Sequence, residues 1–157
     1  MKKIIIILVI IIVIVLFSGV IIYQNALKPV KTAEDKAFQR ALNETELTVA
    51  EDFHLYNGQE TYYVVTGKNE NGKDIYVWIP EKEGSIIVRK QSDGVTEQEA
   101  IAKLLEEKNP MEIISVRLGM EKQIPLWEIY YRSDGNLINY YYVDFKTGDW
   151  RKKIENL

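Results

Sequence analysis

Residues 126–149 read LWEIYYRSDGNLINYYYVDFKTGD, and their pattern decides the fold. Leu126–Arg132 and Leu137–Phe145 are dense in aromatic and β-branched residues, the types that suit a pleated, half-buried surface. Asp134-Gly135 between them is a turn dipeptide that lets two antiparallel strands pair. Thr147-Gly148 marks a second turn, after which Trp150–Ile154 supplies another strand. Side chains alternate along a strand, so in Tyr140-Tyr141-Tyr142 the middle ring faces away from its two neighbours. One side of this meander needs an apolar cover.

The cover lies upstream. Thr96 and Glu99 form a T-x-x-E capping box, and Ala100, Ile101, Leu104 and Leu105 recur at helical spacing behind it. Asn109-Pro110 ends that helix, and Glu112–Leu118 reads as one more strand. A helix of about three turns is too short to stand alone in water, so it must lie on the sheet.

The same order of elements occurs once before, displaced by 64 residues: Tyr63 matches Trp127, Val65 matches Ile129, Tyr76 matches Tyr140, Trp78 matches Tyr142, and Gly84 matches Gly148. Thr32 stands as the cap of a helix whose apolar side is Ala33, Ala37, Phe38, Ala41 and Leu42. The strands are Thr48–Tyr56, Thr61–Thr66, Asp74–Ile79 and Ser85–Arg89, with Asn57-Gly58 and Asn71-Gly72 as hairpin turns. Two copies of this length indicate duplicated small domains, since a solenoid needs at least three repeats. The expected fold class is α+β: an N-terminal transmembrane helix, then two tandem units, each a helix packed on a curved antiparallel sheet. The first unit covers 32–90 and the second 95–157.

At the N-terminus, Ile4–Ile22 is aliphatic apart from Phe17, Ser18 and Gly19. Nineteen helical residues span ~28 Å, the thickness of a bilayer's hydrocarbon core. Tyr23 sits at the place of an interfacial aromatic. Cuts after Ser18 or Gly19 would set Leu16 or Phe17 where a signal peptidase needs a small residue, so an uncleaved anchor is expected. The reading is a cytoplasmic tail at 1–3, a signal anchor at 4–23, and a linker at 24–31 in which Pro29 discourages helix. Lys2 and Lys3 favour a cytoplasmic N-terminus and an extracellular C-terminal domain, although Lys28 and Lys31 follow the span.

The second half resembles the PepSY domain pattern: Trp127-Glu128-Ile129, a turn, then Tyr140 to Asp144 and Thr147-Gly148-Asp149. The first half keeps Gly84 but has Pro80 in the place of Asp144 and Glu83 in that of Thr147, so it is a degenerate copy. An anchor followed by one degenerate and one good PepSY-like unit is similar to the TseB-like (YpmB-type) proteins of Gram-positive bacteria. That resemblance implies cystatin-like α+β units outside the membrane and a regulator of cell-wall elongation that acts with a penicillin-binding transpeptidase. PepSY units also occur in metallopeptidase propeptides, which leaves a peptidase-modulating role as an alternative. Binding of a peptide or glycan fragment is a third.

The inventory of reactive groups is thin. The chain has no Cys and a single His, His54, so a Cys–His pair or a His-rich zinc site cannot be assembled. Its carboxylates, such as Glu97, Glu99, Glu106 and Glu107, fall on polar helix sides. A formal net charge of -3 lacks the basic patch that nucleic acid demands. No enzyme and no cofactor are expected. The excess is aromatic: Tyr62, Tyr76, Trp78, Trp127, Tyr131, Tyr140 and Tyr142 are the candidate partner-binding residues, because Tyr and Trp give large contact area with few rotatable bonds. Asp144, Thr147 and Gly148 form the motif turn, where Asp144 reads as a hydrogen-bonding residue rather than a catalyst.

Overall fold

The structure, a computed structural model, describes residues 2–157. Met1 and the side chains of residues 2–9, including the Lys pair of the expected tail, lie outside the described residues. Helix α1 runs Lys2–Glu44. Four strands follow, β1 (Leu47–Asn57), β2 (Thr61–Asn69), β3 (Asp74–Pro80) and β4 (Ile87–Lys90), then α2 (Glu97–Glu107) and β5 (Glu112–Glu121), β6 (Ile124–Ser133), β7 (Leu137–Asp144) and β8 (Trp150–Ile154). Contacts divide the chain into α1 up to Lys36 and a body from Ala37 to Leu157.

The 24–31 linker is corrected by α1, which carries Pro29 inside it. Proline removes one N–H and crowds the carbonyl one turn back. Here Ala26-Leu27-Lys28 before it and Thr32 to Ala37 after it continue the helix, and Thr32 therefore caps nothing. The N-terminal part of α1 is long and apolar enough to cross a bilayer.

Within the body, each four-stranded antiparallel sheet is a simple meander, β1-β2-β3-β4 and β5-β6-β7-β8. The 64-residue displacement survives as register: Tyr76 pairs with Thr66 as Tyr140 pairs with Tyr130, and Trp78 pairs with Val64 as Tyr142 pairs with Glu128. The last pairing slips by one residue, since Trp78 lies opposite Ile87 and Tyr142 opposite Lys152.

The first sheet is buried on both faces. On one, Val65, Ile75, Val77 and Ile79 pack beneath Ala37 and Ala41 of α1, with Phe38, Phe53 and Tyr63 closing the rim. Small alanines let the helix approach closely. On the other, Tyr56, Tyr62, Val64 and Trp78 join the core of the second unit, which contains Ala100 and Leu104 of α2 with Trp127, Ile129, Tyr131, Tyr141 and Val143. The α2 cap forms as read: Glu99 N–H donates to Thr96 Oγ1 at 3.3 Å and Thr96 N–H to Glu99 Oε2 at 2.7 Å.

One turn differs from expectation, and another carries no turn signal in the sequence. Gly58 opens a three-residue connection between Asn57 and Thr61 instead of a tight Asn-Gly turn. The β5–β6 hairpin turns on Lys122 and Gln123, with φ of 50° and 61°. Neither is a residue that takes left-handed backbone readily, so nothing in EKQI announced a turn.

Candidate functional site

The predicted partner-binding residues divide by which side of a sheet they occupy. Trp78 is wholly buried, and Tyr62, Trp127, Tyr131 and Tyr142 are buried as well, whereas Tyr76 and Tyr140 are only partly covered. Tyr131 lies on the α2 side of the second sheet. Tyr76 and Trp78 lie on the outer side of the first sheet, where they meet the strand ends of the second unit. Phe145 sits edge-on to both, at 5.8 Å from each, and Trp127 sits edge-on to Tyr76 at 6.3 Å. Trp127 Nε1 donates to the Val95 carbonyl at 2.9 Å, and Val95 N–H to the Phe145 carbonyl at 2.7 Å, which fixes the N-terminal approach to α2 against this junction. These aromatics therefore join the chain's own two halves.

A polar cluster closes the same junction. A carbonyl can only accept, so His54 must carry its proton on Nε2 and donate to the Leu118 carbonyl, 2.7 Å away in the other unit. Burial holds the His54 pKa below its ordinary value, against that hydrogen bond and Asp52, which both raise it; the Arg117 guanidinium lowers it further. Arg117 donates to the buried Glu128 carboxylate at 2.7 Å and lies over the Tyr56 ring at 5.9 Å. Burial first, then the Glu128 charge, drives the Tyr56 and Tyr142 hydroxyls far above the ordinary phenol range. The Tyr56 hydroxyl and Trp78 Nε1 are buried with no partner among the described residues. Tyr56 fits because Gly119 has no side chain: a Cβ there would stand 2.4 Å from the ring.

The motif turn is built by Asp144. Its Oδ1 accepts from Lys146 N–H at 2.8 Å and Thr147 N–H at 3.0 Å, and its Oδ2 from Arg151 at 2.6 Å. Burial would raise the Asp144 pKa, but the Thr147, Arg151 and Lys146 donors outweigh it and hold the carboxyl below its usual value. Gly148, at φ 73°, completes the turn. In the first unit Pro80 replaces that acceptor, and Gly84 is not left-handed. Glu83 and Pro80 instead border a shallow polar cleft of about 210 Å³ with Gln59, Glu60, Thr61 and Lys82.

What remains open is the far half of the second sheet's outer face. Tyr130, Tyr140 and Tyr142 stack there as a ladder, at 4.9 Å and 6.4 Å between successive rings. Tyr130, opposite Tyr140, is not among the candidate partner-binding residues, since strand alternation alone does not say which side is covered. No group of three or more His, Asp or Glu capable of holding a metal occurs among the described residues.

Two family models match: a cell wall elongation regulator TseB-like domain over residues 36–80, and a peptidase propeptide and YPEB domain over residues 94–153. The probable cell wall elongation regulator TseB of Bacillus subtilis is 31% identical over 134 residues, covering 85% of this chain and 83% of that protein. This chain belongs to the TseB-like family. The solved YpmB protein from Bacillus subtilis has a TM-score of 0.73 and 31% identity, covering 77% of this chain and 95% of that one. The TseB-like model falls on the degenerate first unit, and the propeptide-type model on the unit with the intact Asp144 turn. The family fold is thus the tandem α+β pair described above.

Proposed function

We propose that this TseB-like chain is a membrane-anchored, non-catalytic regulator of cell-wall elongation that works outside the membrane by binding a penicillin-binding transpeptidase. The observation that carries the reading is the 31% identity to the probable cell wall elongation regulator TseB across 85% of the chain. The apolar α1 supports an anchor, with the Lys2–Lys3 end in the cytoplasm and the tandem units outside. Two experiments test it. Protease added to intact cells should degrade the C-terminal body and leave a reporter fused to the N-terminus untouched; the reverse pattern defeats the topology. Deletion should alter cell length or width, and cross-linking in cells should join the protein to a penicillin-binding protein. Unchanged shape together with no such adduct defeats the role.

The propeptide-type match at residues 94–153 favours a second reading, modulation of an extracellular peptidase. Titrating the full-length protein into a secreted metallopeptidase should then depress its activity, and a flat titration removes this reading.

A further inference from the structure

The central strand pairs of the two sheets share a register, so the outer-face residues of β3 and β7 correspond, yet what covers them differs. On the first, Tyr76 and Trp78 receive Phe145 and Trp127, apolar groups from the ends of strands in the other unit. On the second, the matching positions are Tyr140 and Tyr142. Tyr142 is buried at the junction beside Tyr56 and Glu128. Tyr140 and its cross-strand neighbour Tyr130 are only partly buried, and they continue the Tyr142 stack away from the junction onto open sheet. Ile138 and Ile154 lie on the same side, at the positions two residues from Tyr140 and directly opposite it. The open patch is therefore continuous with an interface that this chain already uses.

Its charge has a sign. Lys152 is 43% exposed while its partner Glu121 is 17% exposed, and Arg117 is 40% exposed while Glu128 is 5% exposed. In both pairs the cation faces solvent and the carboxylate is withdrawn. A third pair, Arg132 with Glu112, has both charges open and adds no bias. An apolar stripe bordered by outward cations suits a partner whose own apolar patch is bordered by carboxylates.

We infer that the sheet face centred on Tyr130 and Tyr140 is where the transpeptidase docks, and that it receives an apolar strand end or turn flanked by acidic residues, much as the first sheet receives Phe145 and Trp127. This inference rests on the transpeptidase reading above.

The test uses the full-length protein in detergent micelles, titrated against purified penicillin-binding transpeptidases from the same cell. Wild type should bind one of them. Tyr140→Asp should weaken that binding by about 30-fold, the size of a central hot spot, while Tyr140→Phe retains it. Lys152→Glu should weaken it by about 3- to 10-fold, with a smaller salt dependence, through loss of steering at the rim. Leu105→Asp, on the exposed side of α2, should bind as wild type does. Thermal melts show whether each variant is folded, and Lys152→Glu carries the test should Tyr140→Asp melt early. If wild type binds while Tyr140→Asp and Lys152→Glu bind equally well, the docking face is wrong and the proposed function stands. If wild type binds no transpeptidase, both fall. Self-association that Tyr140→Asp abolishes would make the face a contact between copies and overturn the inference.

Discussion

The outer faces of the two sheets correspond along their central strands. Tyr76 and Tyr140, Trp78 and Tyr142, Val64 and Glu128 occupy matching register positions. In the first unit the face is apolar at its centre and is buried against a neighbour. In the second, an ion pair with Arg117 occupies the place of Val64, Tyr142 is buried at the junction, and Tyr140 and Tyr130 beyond it are only partly buried. Among the described residues, no ring of the first unit meets them as Phe145 meets Tyr76. The difference shows that equivalent strand positions in two tandem units can be covered to different extents. Burial, not residue type, separates a core aromatic from a docking one.

The sharpest way to break this contrast is a pair of truncations. Trp78→Ala empties a fully buried site and should lower stability by about 3–5 kcal/mol, whereas Tyr140→Ala should cost roughly 1 kcal/mol or less; urea melts of both decide it, and equal losses would mean that the two faces are equally structural. Gly119→Ala attacks the junction from the other side, since its new methyl group meets the Tyr56 ring at 2.4 Å. Overpacking there should cost about 1–3 kcal/mol, and Gly119→Ala combined with Tyr56→Leu should recover much of it.

The turns offer a second contrast. Asp144→Ala leaves two backbone N–H groups and Arg151 without their acceptor and should cost about 1–3 kcal/mol. Pro80→Ala, at the matching place in the first unit, should cost much less, because no carboxylate builds a turn there.

Acidity probes the junction separately. Folding favours neutral His54, whose pKa is lowered in the folded state. Its contribution is therefore present above the unfolded value, about 6.5, and is lost as pH falls through that value toward the folded one. Melting temperature should decline across this window in wild type and flatten there in His54→Gln. Asp144 also has a lowered pKa, so its contribution holds above about 4 and fades only below that. The smallest effect belongs to Tyr56→Phe: deleting a hydroxyl that has no partner should leave stability unchanged or raise it by up to about 1 kcal/mol.

Much of this architecture could be read from residues alone, and the failures have physical causes. Aromatic and β-branched runs, several of them bounded by Gly turns, placed all eight strands, and T-x-x-E placed α2, because these patterns encode local geometry. Lys122-Gln123 escaped notice because its hairpin uses residues that adopt left-handed backbone only at a cost of about 1–2 kcal/mol each. Pro29 suggested a break because a local penalty was read without the good helix formers on both sides. For the candidate surface, alternation told which aromatics share a side of a strand. It could not tell which side meets the sister unit, since Tyr62, Val64 and Trp78 are buried in a cluster shared with residues of the second unit such as Met120 and Phe145. Tyr130 was missed for the same reason.

The first sheet is the middle layer of the body, with α1 against one face and the second unit against the other. A gene fragment ending at Lys90 would consequently strip Tyr62, Val64 and Trp78 of their cover and present a sticky slab to every other copy. The leading half therefore needs its successor to keep those side chains out of water.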